Sequence, residues 1–223
     1  MVRPRGHLIF AFALSATIFA RLYPPIHKTF MALINDPNHD FTALPSGANP
    51  ASLHPPLLPN VLRPSASFML GHPARLIALG FGSGLSRIAP GTAGTLWGWL
   101  SFWMMQQYLS SAQIGWVIAA SIPLGWWACT VCAQHMRVAD PGAIVWDEIV
   151  AFWLILWIAS PVGFWAQLVA FALFRYFDAA KPGPVAWADA LFKGFGPRGG
   201  WGIVFDDLVA AGCTLLVIAL WRF

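Results

Sequence analysis

Acidic side chains are scarce in this chain, and most of those in its second half stand where apolar segments begin or end. Nine of the 223 residues are Asp or Glu, and the ones at segment ends are Asp147, Glu148, Asp178, Asp206 and Asp207. Carboxylates near lipid are costly and need a compensating cation. Their oxygen atoms suit Mg²⁺, which commonly binds substrate phosphate as well. The set therefore predicts a magnesium site, and for any single residue the alternative is a solvated helix cap.

Basic residues lie on both sides of one of these acids. Arg175, Asp178 and Lys181 follow at intervals of three, roughly on one side of a helix that Pro182 would end. Phosphoryl transfer depends mainly on positioning and electrostatics. We therefore expect Arg175 and Lys181 to hold phosphate charge. One carboxylate would act as the base, and the sequence does not choose which one; Asp178 is a candidate.

A glycine-rich stretch, GFGSGLSRIAPGTAGT, runs from Gly80 to Thr95. Glycines allow the backbone to approach a phosphate closely and to offer its N–H groups as donors. The candidate phosphate-binding residues are Gly82, Ser83, Gly91 and Thr92. The stretch lacks the Lys-Ser/Thr of a P-loop. Helix packing through small residues is the alternative interpretation.

The composition predicts that these residues are carried by membrane helices. Hydrophobic residues make up 58% of the chain and charged residues 10%, and there are 13 tryptophans. So few charges cannot cover a water-exposed surface, and tryptophan favours the membrane interface. The apolar segments lie near residues 95–109, 113–134, 149–174 and 203–221. We predict an all-α, polytopic helical bundle in which the glycine-rich stretch is a loop before the first main helix.

The segment 149–174 is expected to be a hairpin of two short helices. Ser160-Pro161-Val162-Gly163 divides it into arms of about a dozen residues, each roughly 17 Å long against a hydrocarbon core of about 30 Å. A returning helix pair also puts the basic loops 75–87, 135–147 and 175–202 on one side, which the positive-inside rule makes cytoplasmic. The acids then meet at that side.

Residues 1–68 form an N-terminal extension to the predicted membrane domain, 69–223. The extension combines a short apolar run, 7–20, with a Pro-rich linker, and is either a signal-like anchor or upstream of a true start at Met31 or Met69. From Met69 onward eight basic residues face seven acidic ones, which argues against a nucleic-acid-binding surface.

Cys129, Cys132 and His135 stand at helical spacing in an apolar stretch. A zinc cluster of three ligands is conceivable from this spacing. Small buried residues of a membrane helix are the better interpretation.

Four motifs together resemble the phosphatidylglycerophosphatase A family of bacterial membrane lipid phosphatases. They are the glycine-rich stretch, IVWDE from Ile144 to Glu148, FRYFDAAKPGPV from Phe174 to Val185, and GGWGIVFDDLVAA from Gly199 to Ala211. The resemblance extends from about Met69 to Leu220. Arg87 and Thr95 depart from it, since the family usually has proline and serine at these positions.

The resemblance implies Mg²⁺-dependent removal of the terminal phosphate from phosphatidylglycerophosphate, an anionic lipid, in the bacterial inner membrane. It places the metal ligands at Asp147, Glu148, Asp206 and Asp207, and the catalytic residues at Arg175, Asp178 and Lys181. The active site would face the cytoplasm, and the oligomeric state is left open. A small divalent-cation transporter or a non-catalytic membrane scaffold are the competing hypotheses.

Overall fold

The structure is a computed structural model that describes residues 63–160 and 162–221. Its regular elements are helices, which confirms the predicted fold class. They are α1 Ala66–Leu70, α2 Pro73–Ala78, a 3₁₀ segment Gly80–Leu85, α3 Pro90–Tyr108, α4 Ser111–Met136, α5 Trp146–Ala159, α6 Phe164–Ala180, α7 Pro184–Leu191 and α8 Gly196–Trp221. Most of the predicted extension lies outside the described residues. Helix α1 crosses the boundary that the sequence placed between residues 68 and 69.

Helices α4 and α8 are long and apolar enough to cross a membrane. Each has 26 residues, with mean hydropathies of 1.5 and 2.2. At 1.5 Å per residue each is about 39 Å long, more than a hydrocarbon core of about 30 Å. They make the most extensive helix–helix contact of the described residues. Gly200 of α8 lies so close to Thr130 of α4 that a Cβ there would be 2.8 Å from the Thr130 Cα.

Helices α5 and α6 form the predicted hairpin, with the connection at residues 160–163. Arg175, near the end of α6, contacts Glu148, near the start of α5, at 3.1 Å between Nη1 and Oε1. The two open ends of the hairpin therefore meet. Eleven of the fourteen residues of α5 are buried, so α5 is the central helix of the bundle.

Helix α3 packs closely against α5 through small residues. A Cβ at Gly98 would lie 3.2 Å from the Ile149 Cα, and Trp153 Nε1 donates a hydrogen bond to the Gly98 carbonyl at 2.9 Å.

The predicted loop from Gly80 to Thr95 is mostly helical. Its first part is a 3₁₀ segment, and its last part is the first turn of α3. Proline at position 90 favours this start because its fixed φ suits the first helical position.

The cysteines of α4 are buried in the apolar core, as the simpler interpretation predicted. Cys129 and Cys132 are both free thiols. His135 accepts a hydrogen bond at Nδ1 from Arg75 Nε at 3.0 Å, which ties α2 to the end of α4. Within residues 63–160 and 162–221, these three side chains do not form a group with metal-ligand spacing.

The close contact between α4 and α8 predicts that Gly200→Ala destabilises the protein. The added Cβ would collide with Thr130. Overpacking costs about 1–3 kcal/mol, more than the gain of about 1 kcal/mol that alanine brings to a helix interior. The Tm of the purified protein in detergent should fall by several degrees. Gly212→Ala in the same helix is the control, because a Cβ there meets no atom within 4 Å. Equal Tm values for the two variants would contradict the packing.

Candidate active site

Three carboxylates from three different helices meet where the open end of the α5–α6 hairpin packs against the middle of α8. Glu148 lies in the first turn of α5, Asp178 near the end of α6, and Asp207 in α8. One carboxylate oxygen of each lies within 4.8 Å of the others. Residues that are far apart in sequence are thus gathered by the hairpin, because its two ends come together against α8. We call Glu148, Asp178 and Asp207 the carboxylate triad.

Arg175 holds two members of the triad together. Its Nη1 lies 3.1 Å from Glu148 Oε1 and 2.6 Å from Asp178 Oδ2. The same nitrogen donates a longer hydrogen bond, at 3.4 Å, to Thr95 Oγ1. Thr95 in turn donates to the Gly91 carbonyl at 2.9 Å. The guanidinium therefore links α6 to both α5 and the first turns of α3.

The first turns of α3 lie directly against Glu148. A Cβ at Gly91 would collide with Glu148 Oε1 and would lie 2.9 Å from Arg175 Nη2. A Cβ at Gly94 would lie 2.9 Å from Glu148 Oε2. Glycine at both positions thus leaves room for the carboxylate and brings the α3 backbone to the site.

Several carboxylate oxygens here are buried without a hydrogen-bond partner among the described residues. They are Asp147 Oδ1, Glu148 Oε2, Asp206 Oδ1 and Asp207 Oδ2. Buried carboxylates are costly unless they are paired or coordinate a metal. The five predicted carboxylates face two cations, Arg175 and Lys181, which leaves three negative charges when all are ionised. The triad therefore fits a divalent cation with oxygen ligands.

The structure does not bring Asp147 and Asp206 into the triad, although the sequence predicted both as metal ligands. Asp147 is buried next to Glu148 at the start of α5. Asp206 accepts a hydrogen bond at Oδ2 from Lys181 Nζ at 2.7 Å. Two consecutive residues of α8, Asp206 and Asp207, thus belong to different groups, because neighbours on a helix point about 100° apart.

Lys181 is occupied by two carboxylates. Besides Asp206, its Nζ contacts Asp189 Oδ1 of α7 at 2.6 Å, and Lys193 contacts Asp189 Oδ2 at 2.7 Å. Burial acts to lower the pKa of Lys181, but the hydrogen bonds to Asp189 and Asp206 outweigh it and raise the pKa. Burial acts to raise the pKa of Asp189, and the two lysines outweigh it, so that this pKa is lowered.

Asp189 is the residue that sequence reasoning missed. It lies in α7, five residues after Pro184, and was not assigned to the site. The available signal was its spacing of four residues from Lys193 in a chain with few charges. That spacing indicates a helical ion pair, but it does not show that Lys181 approaches the same carboxylate.

The predicted phosphate-binding residues separate into two places. Gly91 lies against Glu148 and Arg175, and Thr92 follows it in the first turn of α3. Gly82 and Ser83 belong to the 3₁₀ segment. The Ser83 hydroxyl donates to the Gly80 carbonyl at 2.9 Å, and a Cβ at Gly82 would meet Met69. The described contacts therefore join Gly91 to the triad, but not Gly82 or Ser83.

Comparisons with known proteins point to one enzyme family. A family model described as Phosphatidylglycerophosphatase A matches residues 76–222. Phosphatidylglycerophosphatase A of Escherichia coli (strain K12) is 39% identical over 142 residues, covering 63% of this chain and 78% of the relative. The protein of the same name from Haemophilus influenzae is 36% identical over 155 residues, covering 70% and 92%.

A third relative carries a different name. It is a protein of Bacteroides thetaiotaomicron named "Putative phosphatidylinositol-3-phosphatase", 34% identical over 154 residues, covering 66% of this chain and 92% of the relative. No solved structure matches the chain. The family model spans about two thirds of the chain and includes the triad, Arg175 and Lys181. The chain belongs to the phosphatidylglycerophosphatase A family.

Proposed function

We propose that this chain hydrolyses the terminal phosphate monoester of phosphatidylglycerophosphate, with Mg²⁺ held by the carboxylate triad. Membership of the family makes it a phosphoric monoester hydrolase. The single observation that carries the metal assignment is the approach of Glu148, Asp178 and Asp207 within 4.8 Å, beside Arg175. The named substrate of two relatives supports phosphatidylglycerophosphate as the lipid.

The triad residues would bind the ion, and their unpartnered oxygens are the available ligand atoms. Glu148 Oε2 and Asp207 Oδ2 are both buried and unpaired within the described part of the chain. When bound, Mg²⁺ supplies Lewis acidity toward the phosphoryl oxygens and a lower pKa for the attacking water. Glu148 and Asp207, which are buried, and Asp178 would hold the ion beside Arg175.

Arg175 and the start of α3 would orient the phosphate. Arg175 is always charged, and its forked N–H groups match phosphate oxygens. The N–H groups of Gly91 and Thr92 belong to the first turn of α3, where backbone donors lack intrahelical acceptors. Such a helix start favours anions. We therefore keep Gly91 and Thr92 as phosphate-binding residues.

Lys181 is assigned a different role from the one that the sequence predicted. Its Nζ already contacts Asp189 and Asp206 at 2.6 and 2.7 Å. A lysine in this position balances the charge of Asp206 and holds α7 against α8. We propose that it positions Asp206, and that Arg175 is the basic residue that contacts the phosphate.

Asp178 remains our candidate for the base. Its Oδ2 contacts Arg175, which fixes the orientation of the carboxylate. In the reaction the water oxygen joins phosphorus, and the bond from phosphorus to the glycerol oxygen breaks. The proton that Asp178 accepts from the water leaves with that glycerol oxygen. Phosphatidylglycerol and phosphate are the products.

The protein would cross the bacterial inner membrane several times, with the triad at the cytoplasmic side. Helices α4 and α8 are the candidate spans. Arg137 follows the end of α4 and Arg198 lies in the first turn of α8, so the two candidate spans have a basic end in common. The positive-inside rule places such a basic end in the cytoplasm.

Loss of a triad carboxylate should abolish turnover. Glu148→Gln and Asp207→Asn each remove a proposed metal ligand. Mutation of even an outer-shell partner of a metal lowers metal affinity or activity by about 10–100-fold. Phosphate release from phosphatidylglycerophosphate in mixed micelles should fall by at least about 100-fold. Asp140→Asn is the matched control, because Asp140 is exposed and outside the triad. Near-native turnover of both triad variants would refute the proposed metal site. If the wild-type protein released no phosphate at all, the transporter or scaffold hypothesis would be favoured.

Removal of divalent ions should stop the reaction reversibly. Phosphate release by the purified protein should fall to background after dialysis against a chelator. Added Mg²⁺ should restore it, because three carboxylates and retained waters suit this ion. Asp207→Asn should need a higher Mg²⁺ concentration for any residual activity. Full activity after chelation would contradict a metal mechanism.

The ion pairs of Asp189 predict a pH-dependent stability difference. Because the pKa of Asp189 is lowered in the folded protein, its stabilisation is complete above the unfolded-state pKa of about 3.9 and is lost as the pH falls through the folded value. Asp189→Asn should therefore lower the Tm at pH 7, and the difference from wild type should shrink below about pH 4. Lys193→Gln is the control, since this side chain is 69% exposed and its pair contributes little. A difference that is constant with pH would contradict the ion-pair assignment.

A further inference from the structure

A groove opens between the 3₁₀ segment and α3, on the exposed side of α3. Its volume is about 330 Å³, at the lower end of the range of about 300–1,000 Å³ for ligand sites. We call it the Trp97 groove. Its walls are formed by Phe81, Ser83, Ala93, Leu96, Trp97 and Leu100, with Gly80 at the base.

The walls of the Trp97 groove are apolar. Ala93, Leu96, Trp97 and Leu100 follow the spacing of one helix face. Leu96 is 50% exposed and Leu100 is 48% exposed, so this face is open. The Ser83 hydroxyl is engaged with the Gly80 carbonyl. Of the described residues, those that line the groove carry no charge, and the chemistry of the walls fits a hydrocarbon chain.

The groove begins near the start of α3, because Ala93, its first lining residue on this helix, follows the proposed phosphate-binding residues Gly91 and Thr92. Gly94, the residue after Ala93, is the one whose Cβ would lie 2.9 Å from Glu148 Oε2. At the base of the groove, a Cβ at Gly80 would lie 2.8 Å from Ile149, the residue after Glu148. One face of α3 therefore contacts Glu148, the opposite face forms the groove, and the start of α3 lies between the two.

We propose that the Trp97 groove binds an acyl chain of the lipid whose phosphate enters the carboxylate triad. This inference rests on the proposed function, since it needs a substrate with a phosphate at one end and a hydrocarbon chain at the other. The polarity of α3 matches that substrate: the first turn, at Gly91, faces Arg175 and Glu148, while Leu96, Trp97 and Leu100 face outward. Lipid tails are as apolar as the groove walls, so the groove contributes little affinity within a bilayer. Its contribution is to orient the headgroup toward the triad.

A chain-length series tests the groove in water, where each buried methylene matters. The substrates are single-chain forms of phosphatidylglycerophosphate, from butanoyl to octanoyl, below their critical micelle concentrations, with the full-length protein in nanodiscs. For wild type, kcat/KM should rise by up to about fourfold per methylene until the groove is filled. Ala93→Phe fills the groove and should reduce this rise to less than about twofold per methylene. Its kcat/KM for the butanoyl substrate should stay close to wild type.

The matched control is Ala120→Phe, which makes the same change at an exposed position of α4. It should keep the wild-type chain-length dependence, and it corrects for partition of the substrates into the nanodisc. If Ala93→Phe does not fold, Trp97→Ala removes one wall of the groove and should also weaken the dependence of kcat/KM on chain length.

An unchanged dependence on chain length in the Ala93 or Trp97 variant would overturn the proposal while leaving the proposed function intact. Equal loss on all chain lengths would overturn it too. A wild-type protein that cleaves none of the substrates would refute the proposed function, and the groove assignment with it.

A second measurement does not depend on turnover. Phosphatidylglycerophosphate with a diazirine in the first half of one chain is irradiated with the protein in the presence of chelator, and the adducts are mapped by mass spectrometry. Adducts should concentrate in residues 80–100 and should decrease in Ala93→Phe. Adducts spread evenly over the exposed faces of α4 and α8 would indicate ordinary bilayer contact and overturn the proposal. A shift in oligomeric state of Ala93→Phe with unchanged adducts would assign the groove to a second copy of the chain.

Discussion

Negative charge gathered inside an apolar bundle is the constraint on which this structure depends. Asp147, Glu148, Asp206 and Asp207 are all at least nine-tenths buried. In a medium of low dielectric constant such groups are stable only when cations or hydrogen-bond donors are close. The protein supplies two cations, and each gathers a different set of acids. Arg175 contacts Glu148 and Asp178, whereas Lys181 contacts Asp206 and Asp189.

The glycines of α3 serve this charged centre and the helix packing at the same time. Gly91 and Gly94 lie where a Cβ would collide with or crowd Glu148, and Gly98 lies against the backbone at Ile149. The two interpretations of the glycine-rich stretch, phosphate approach and helix packing, therefore need not compete. Close packing of α3 on α5 is what brings the first turn of α3 to Arg175 and Glu148. A larger residue at Gly94 would move both helices and the site together.

The sequence was sufficient for the all-α architecture and for the meeting of acids at the open end of the hairpin. Short arms and the side of the basic loops predicted the hairpin, and the contact of Arg175 with Glu148 agrees with it. The sequence could not predict which acids lie together, because periodicity shows where a helix begins but not how the helix is rotated about its axis. Asp206 and Asp207 are indistinguishable in sequence, yet only Asp207 lies with Glu148 and Asp178. The pairing of Lys181 with Asp189 likewise depends on how α7 folds back, which local spacing does not determine.

The direction of the hairpin helices bears on the role proposed for Asp178. The N-terminus of a helix stabilises carboxylates and the C-terminus stabilises cations. Glu148 at the start of α5 and Arg175 near the end of α6 both follow this preference. Asp178 lies at the C-terminal end of α6, where the helix dipole disfavours its charge. Arg175 offsets that cost, but the two other triad carboxylates add to it. Three carboxylates at this position are an unfavourable concentration of like charge, and the cation proposed to be shared by the three acids would offset it.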